Sequence, residues 1–236
     1  MKQSVCSLAL LLAACAAPLP QAPPPGAPAE VAAPALRSGD AWAYTTYDGY
    51  THIPKGTVDY RVTRVQGDTV TVERNHEGRA SQEFFTASGA WLERPLTNLQ
   101  DLRYQPALAA LPFPLHAGKR WREYVQATDP ATGRAYRVRI DGEVLGWDRV
   151  RVPAGEFDAL KVQRYIYAGN FDYFRTEERI RELDWYSPQL GAVVRHEESS
   201  EYTDTSKSCR YAGCNIIRND WTVLELSGTS RSRTGA

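Results

Sequence analysis

Cysteine and histidine are the residue types in this chain best suited to covalent or metal chemistry, and each occurs four times. The cysteine placed most distinctively is Cys15, which directly follows Ala13 and Ala14 at the end of an apolar run. A thiol is a soft nucleophile that can be alkylated, and small residues before it let the chain lie extended in a peptidase cleft. The run from Val5 to Ala14 follows Lys2 and has about ten residues, which is typical of a secretory signal and too short for a membrane span.

The order Leu12-Ala13-Ala14-Cys15 resembles the lipobox of bacterial lipoproteins. In that family the cysteine receives a diacylglyceryl group, the peptide before it is removed, and the new amino terminus is acylated. The resemblance implies a signal peptide over residues 1–14 and a Cys15 held in a membrane by its acyl chains. Ala16 stands where an aspartate commonly retains such proteins in the inner membrane, so the resemblance implies the outer membrane, on its periplasmic face. The alternative is an ordinary signal peptide cleaved at an Ala-x-Ala site, with Cys15 incidental.

Two further cysteines, Cys209 and Cys214, remain after Cys6 leaves with the signal peptide. An oxidising periplasm favours a disulfide between them. Two free thiols are the first alternative. A metal site is the second, but a Cys-x₄-Cys pair without another ligand pair is a poor zinc site.

The remaining chemistry-bearing residues form no recognisable catalytic motif. No two histidines stand at metal-ligand spacing, and no serine-hydrolase, zinc-protease or phosphate-loop motif is present. We therefore predict a non-enzymatic protein with no catalytic residue, no metal and no cofactor. His196 is expected to be a solvated strand residue. The mixed charges from Glu177 to Glu182 are expected to form an exposed strand face or an edge guarded against aggregation. The histidines are His52, His76, His116 and His196.

The chain that positions these residues divides into a linker, a body and a tail. Fifteen of the twenty residues from Ala16 to Ala35 are Pro or Ala, which favours an extended spacer, so we assign 15–35 to the lipidated cysteine and its linker. Residues 36–227 are predicted to form one domain and 228–236 a disordered tail. The 28 basic and 28 acidic residues give a formal net charge of zero without a basic stripe, so nucleic acid is not an expected partner.

The pattern of the body indicates an all-β fold. Gly56–Arg74 alternates β-branched and polar residues on both sides of a Gln66-Gly67-Asp68 turn, which is typical of a hairpin. The best helix candidate, Asn98–Leu111, is interrupted by Pro106. We predict an antiparallel meander that forms a curled sheet or half-barrel with little helix.

Three landmarks recur in the same order and indicate two duplicated halves, about 36–95 and 115–198. Chance similarity among hairpins is the alternative. Trp42 and Trp121 are then expected at equivalent positions. The paired segments are Gly39–Trp42 with Gly118–Trp121, Tyr60–Val62 with Tyr136–Val138, and Phe84–Trp91 with Trp185–Val194.

Three segments of the second half, Pro112–Trp121, Val150–Val162 and Asp184–Glu197, resemble a pattern in exported bacterial β proteins of the domain-of-unknown-function 3108 type. The segments cover about a third of the chain. The turn residues Pro153 and Gly155 are fold signatures of this pattern. The resemblance implies a β fold and carries no activity, since that family has none established.

The aromatic residues are the remaining functional lead. They either fill a dry core or line a concave face that holds an apolar ligand. We therefore predict a lipid-anchored binding module for an apolar envelope ligand. The alternatives are an accessory subunit of an envelope protein complex and an enzyme whose site the sequence does not show. The aromatic candidates are Trp42, Tyr44, Tyr47, Tyr50 and Tyr60 in the first half and Trp147, Phe157, Tyr165, Tyr167, Phe171, Tyr173 and Phe174 in the second.

We expect the Cys15→Ala variant to leave the membrane fraction and to retain its signal peptide, because the thiol is the acceptor of the lipid. Fractionation and mass spectrometry of the amino terminus measure both effects. A Cys6→Ala variant is the matched control and should behave as wild type. Unchanged processing and membrane partitioning of Cys15→Ala would contradict the lipobox assignment.

Overall fold

The structure is a computed structural model that describes residues 22–96, 101–169, 176–205 and 215–231. Within these ranges the chain forms thirteen β-strands and no α-helix. Nothing in the described ranges has the helical length and apolar character that crossing a membrane requires. The strands are β1 (Ala41–Asp48), β2 (Pro54–Gln66), β3 (Thr69–His76), β4 (Arg79–Thr86), β5 (Trp91–Pro95), β6 (Asp101–Leu108), β7 (Arg120–Thr128), β8 (Ala135–Val152), β9 (Gly155–Ala168), β10 (Glu178–Ser187), β11 (Ala192–Asp204), β12 (Asn215–Arg218) and β13 (Thr222–Ser230).

The sheet closes into a ring of twelve antiparallel strands. Each strand from β1 to β11 pairs with the next one along the chain. β13 then pairs with β1 on one side and with β11 on the other, which joins the two ends of the meander. β12 lies outside the ring and pairs with the far end of β11. The prediction of an all-β antiparallel meander is confirmed, and the curled sheet curls far enough to close.

Alternating burial along the strands places one set of side chains inside this ring. In β8 the alternating Val138 and Ile140 are fully buried, and in β9 Val162 and Ile166 are. A strand turns successive side chains to opposite faces, so the residue midway between the last two, Arg164, shares their face. Arg164 is 2% exposed, which makes a charged residue part of the interior.

The segment predicted as the best helix candidate forms strand β6 instead. Leu102, Tyr104 and Leu108 are buried, while Arg103 and Gln105 are exposed. This period of two matches a half-buried strand rather than a helix. Pro106 supplies no amide hydrogen for the ladder, and the pairs of β6 with β7 end at Gln105. Residues 97–100, where the predicted helix begins, lie outside the described ranges.

Both ends of the body differ from the predicted boundaries. Val31, inside the predicted linker 15–35, is buried and exchanges two backbone hydrogen bonds of 2.8 Å with Leu115. The last part of the linker therefore packs on the body, through the buried side chain of Val31 and its two backbone hydrogen bonds. At the other end β13 continues to Ser230, so Gly228 belongs to a strand and not to the predicted tail.

The Gly39 and Gly118 landmarks have the same backbone geometry. Both glycines have positive φ, 94° and 80°, a conformation that other residues adopt at a cost. The amide of Gly39 donates to the carbonyl of Val62 at 2.7 Å, and the amide of Gly118 donates to that of Val144 at 2.8 Å. β1 and β7 therefore begin with the same local hydrogen bond.

The register after these glycines places Trp42 opposite Tyr60 and Trp121 opposite Gly142. Gly142, and not the expected Tyr136, is therefore the position that corresponds to Tyr60. The second predicted landmark is shifted by six residues. The bounds 36–95 and 115–198 stay a prediction.

We expect Gly142→Ala to destabilise the fold by about 1–3 kcal/mol, because an added methyl overpacks a filled site. A Cβ at Gly142 would lie 2.1 Å from the Trp121 ring. The control is Gly228→Ala, where the nearest atom to an added Cβ is 4.0 Å away. Urea unfolding measures both variants. Equal stability of the two would contradict the close packing of Trp121 on the glycine.

Candidate functional site

The ring contains a cavity of about 320 Å³ that is partly open to solvent. One wall comes from β1–β5 and the other from β9–β11 and β13. Pro34 and Leu36, at the end of the linker, also line it. Part of the lining is apolar and aromatic, and part is charged. Several strands contribute residues of both kinds to it.

Aromatic side chains from the first half of the chain form much of the lining. Trp42, Tyr44 and Tyr60 come from β1 and β2, and Phe85 and Trp91 from the hairpin of β4 and β5. Tyr44 and Tyr60 contact edge to face, with ring centroids 5.8 Å apart. These rings belong both to the core and to the cavity wall. The binding of an apolar ligand by this wall stays a prediction.

Tyr44 also holds the closing strands together. Its hydroxyl donates to the carbonyl of Val193 at 2.7 Å, which links β1 to β11 across the intervening β13. Burial raises the pKa of Tyr44 well above its usual range, so the hydroxyl stays protonated as a donor.

Other predicted aromatic candidates lie elsewhere. Tyr47 stacks on His52, with centroids 4.4 Å apart, and Tyr50 is 68% exposed. Trp147 packs in a separate core cluster. Phe157, Tyr165 and Tyr167 are partly buried and do not line the cavity. The remaining three candidates, Phe171, Tyr173 and Phe174, lie outside the described ranges.

A buried ion-pair group occupies the wall formed by β9 and β10. The Nη2 atom of Arg164 lies 2.6 Å from Glu182 Oε2 and 2.6 Å from Asp184 Oδ2. The Nε of Arg164 donates to Glu182 at 2.8 Å, and Nη1 donates to the carbonyl of Ala110 at 3.3 Å. Burial works against the Asp184 carboxylate, but Arg164 and His196 outweigh it and hold its pKa well below the usual range. Arg164 and Asp184 are thus both ionised and hydrogen-bonded, as buried charges require.

His196 extends this group onto β11. Its Nδ1 lies 2.6 Å from Asp184 Oδ1, the residue directly opposite it on β10. Burial lowers the pKa of His196, but the Asp184 carboxylate outweighs burial and the pKa rises to about 10. The imidazole is therefore a cation at neutral pH.

The prediction of a solvated side chain at His196 was wrong, because His196 is partly buried and paired with Asp184. The face predicted to be exposed from Glu177 to Glu182 is exposed only at alternate residues. Glu178 and Glu182 are 2% and 5% exposed. Every second residue of β10 faces inward, so its mixed charges divide between two faces. The sequence did contain a signal for the burial of Arg164. This residue lies two positions from both Val162 and Ile166, so a strand places all three side chains on one face.

A second charged group lies on the opposite wall. Glu83 is 1% exposed, and its Oε2 lies 3.6 Å from the Nε of Arg94. Its Oε1 lies 3.9 Å from the Nε of Arg74. The Arg94 guanidinium also lies over the Trp91 ring, 4.2 Å from its centroid, a favourable cation–π contact. Sequence analysis did not predict that these three charged residues line the interior. Arg74 alternates with the buried Val70 and Val72 along β3, so the strand places all three on one face.

One set of side chains has the composition of a metal site. The ligand atoms of Glu182, His196 and Glu198 lie within 4.8 Å of one another. Two of the three are already committed, since Arg164 binds Glu182 and the protonated His196 donates to Asp184. A cation would have to break both interactions, so the ion-pair group fits a structural role better than a metal centre.

The residues predicted to carry covalent chemistry are not among those described. Cys15, Cys209 and Cys214 all lie outside the described ranges. Lipidation of Cys15 and the disulfide between Cys209 and Cys214 therefore stay predictions.

We expect the protein to lose stability between pH 6.5 and about 10 through His196. The unfolded histidine titrates near 6.5 and the folded one at about 10. The folded state alone keeps the proton between these values, so the stabilisation is complete below the first and lost as pH rises through the second. Urea unfolding across this range should show a steeper fall for wild type than for His196→Gln.

The matched control for this measurement is His116→Gln, which changes an exposed histidine. It should retain the wild-type slope, since other groups that titrate at high pH are common to all three proteins. Equal slopes for wild type and His196→Gln would contradict the charged Asp184–His196 pair.

No family model and no curated protein matches this chain. Three solved structures are similar to it. The first, described as an exported protein with a YmcC-like fold, from Bacteroides fragilis, has 13% identity and a TM-score of 0.48, covering 86% of this chain and 100% of its own. A protein described as a lipoprotein, from Parabacteroides distasonis, has 15% identity and a TM-score of 0.44, covering 86% and 100%. The hypothetical lipoprotein YmcC from Escherichia coli has 9% identity and a TM-score of 0.43, covering 84% and 87%.

These three structures are described as exported proteins or lipoproteins. No function passes from them to this chain, because every identity is 15% or less and every TM-score is below 0.5. The likeness to the domain-of-unknown-function 3108 family remains a resemblance of short segments, since no family model matches.

Proposed function

We propose that this protein is a lipid-anchored binding module of the outer membrane, facing the periplasm, and that its cavity holds a small ligand with apolar faces. The observation that carries the proposal is the cavity of about 320 Å³, partly open to solvent, with aromatic walls. Ligand sites are concave, mostly apolar, and roughly 300–1,000 Å³ in volume, with a few polar groups that orient the ligand.

A binding role accounts for the charged residues better than catalysis does. A general base needs a proton-accepting atom within reach of the substrate and a pKa near the working pH. Asp184 is instead held ionised by Arg164, and His196 keeps its proton until about pH 10. The strongest acid–base candidates of the described residues are thus locked in ion pairs, which favours a module that binds without converting its ligand.

The linker brings the proposed anchor close to the cavity. Val31 is fastened to Leu115, and Pro34 and Leu36 line the cavity. The sixteen residue steps from Cys15 to Val31 span roughly 50 Å in an extended polyproline conformation, at about 3.1 Å each. A lipidated Cys15 therefore keeps the linker side of the cavity within that distance of the bilayer, where apolar envelope molecules are available.

We expect the neutral apolar dye N-phenyl-1-naphthylamine to bind the purified protein saturably, with enhanced emission. The variant Val193→Trp should abolish this binding, because Val193 lines the cavity and a larger side chain fills it. Val65→Trp, the same change at a valine that is 42% exposed, is the control and should leave binding intact. Dye titrations with all three proteins provide the measurement.

Circular dichroism should show that both tryptophan variants keep the β fold. Absence of saturable dye binding in the wild type, or equal binding by a folded Val193→Trp, would contradict a ligand-binding cavity.

A further inference from the structure

Six arginines lie together on the outer surface of the strands from β7 to β12, which we call the arginine face. Along β8 and β10 they alternate with buried residues such as Val138 and Ile180, so their side chains point away from the interior. Five of the six are exposed, and the sixth is partly exposed. The six are Arg122 on β7, Arg137 and Arg139 on β8, Arg179 and Arg181 on β10, and Arg218 on β12.

The register of the sheet makes the arginine face continuous. Arg139 lies opposite Tyr167 of β9, which in turn lies opposite Arg179. In the neighbouring row, Tyr165 lies opposite Arg181. Adjacent strands are about 4.8 Å apart, so the face extends roughly 24 Å from β7 to β12. Because the arginines are spread over four strands, the sequence shows no basic stripe.

The arginine face carries an excess of positive charge, in a chain whose formal net charge is zero. Its six arginines stand beside three carboxylates, which are Asp141, Glu201 and, at the edge of the face, Glu177. Three formal positive charges therefore remain. Two of the carboxylates are each shared between two arginines. The shared pairs are Arg122–Asp141, Arg139–Asp141, Arg179–Glu201 and Arg218–Glu201.

Two arginines of this face form no ion pair with any residue of the described ranges. Arg181 is exposed, and its side chain has no partner there. The Arg137 guanidinium contacts the Tyr124 ring, 4.8 Å from its centroid, and donates to no oxygen of the described chain. A guanidinium carries five N–H donors in a planar fork that matches the oxygens of a phosphate. Both side chains can therefore bind phosphate oxygens from outside the protein.

Tyrosines lie between these arginines. Tyr124 lies opposite Arg139 and is 48% exposed, and Tyr165 and Tyr167 on β9 are partly exposed. A tyrosine has an apolar ring and a polar hydroxyl, and for this reason it is enriched where a membrane meets water. Basic residues are attracted to the anionic headgroups at the same depth. The two residue types together match a lipid surface.

The linker leaves the body beside the arginine face. Val31 is fastened to Leu115, shortly before β7 begins, and Trp121 of β7 packs against the same core cluster. From Val31 the chain reaches Cys15 within roughly 50 Å. When Cys15 is lipidated, phospholipid headgroups are therefore the anionic groups that the tether holds near this face.

We infer that the arginine face docks on the phosphate-bearing headgroups of anionic phospholipids, in the leaflet that holds the anchor. The acyl chains then keep the protein on the membrane, and the arginine face determines which side of the ring lies against the bilayer. This inference goes beyond the proposed ligand-binding function and does not depend on it.

The first test mixes the purified wild-type protein with vesicles of phosphatidylcholine, with or without added phosphatidylglycerol. Phenylglyoxal modifies accessible arginines, and peptide mass spectrometry measures the rate at each site. We expect modification of Arg137 and Arg181 to slow about fivefold on the anionic vesicles, because headgroup phosphates cover these side chains. Arg61 and Arg79, which are exposed on β2 and β4, are the internal controls and should react equally on both vesicles.

This protection should disappear at about 1 M salt, where the Debye length is only about 3 Å. Equal modification of Arg181 on the two kinds of vesicle would overturn the inference, and so would equal protection of Arg61 and Arg79. Flotation with the neutral vesicles reports the acyl anchor separately, and dye binding reports the cavity. Failure of the arginine face is therefore distinguishable from failure of the proposed function.

The second test compares the double variant Arg137→Gln/Arg181→Gln with Arg61→Gln/Arg79→Gln, which removes the same charge from exposed positions on the far side of the ring. Hydroxyl-radical oxidation of Tyr124 on anionic vesicles is the readout. Tyr124 should be protected in the wild type and in the second variant, and the first variant should lose this protection. Circular dichroism checks that both variants keep the β fold.

An acidic protein partner is the competing explanation for the arginine face, and soluble polyglutamate is its probe. Protection of Arg137 and Arg181 by polyglutamate but not by anionic vesicles would assign the face to a protein and contradict membrane docking. Protection by the vesicles, with loss of Tyr124 protection in the first double variant alone, is the result that supports it.

Discussion

The pairing of β11 with β13 closes the ring, and the interior of the protein depends on it. Because β13 also pairs with β1, the four residue pairs from Arg195–Glu225 to Glu198–Thr222 join the ends of a long meander. Arg195 lies 3.1 Å from Glu225 across this join. Without this strand pairing, the inward side chains of the first and last strands would face water. Their charges would then be hydrated and would need no ion-pair partners.

Closure makes the polar side chains of the interior informative. In water an ion pair 3.6 Å apart is unremarkable, but a buried pair at that distance leaves hydrogen-bonding capacity unused. Arg164 with its two carboxylates shows what a satisfied buried group looks like in this protein. Glu83, on the opposite wall, is equally buried and lacks such contacts. This difference separates the closely paired charges of the interior from the loosely paired ones.

The charged interior also constrains the strand register. Arg164 lies opposite Glu182, and Asp184 opposite His196. A slip of β10 by one residue would turn Glu182 and Asp184 to the outer face and break the network. Glu182 also lies opposite Glu198, a repulsive pairing that is tolerable only because two cations stand beside it.

Local patterns in the sequence were enough for the strand content, since alternation and turn residues act over a few positions. The hairpin of Gly56–Arg74 is such a case, and it forms β2 and β3. The same reasoning failed for β6, where Pro106 was taken as a break in a helix while Leu102 and Tyr104 followed a strand period. Local signals predict a strand well where one periodicity dominates. They predict it less well where a helical and a strand periodicity both fit the segment.

The cavity was beyond that reasoning, because it depends on residues far apart in the chain. The inward phase of Arg164 is legible in the sequence, but its partners Glu182 and Asp184 are set by pairing between strands. Tyr44 and Val193 meet across 149 residues. The sequence by itself determined the strands, the expected export signal and the aromatic character of the interior. Tertiary structure alone decided that the sheet closes, which charges are buried and how closely each is paired, because pairing energies between distant strands choose among many compatible arrangements.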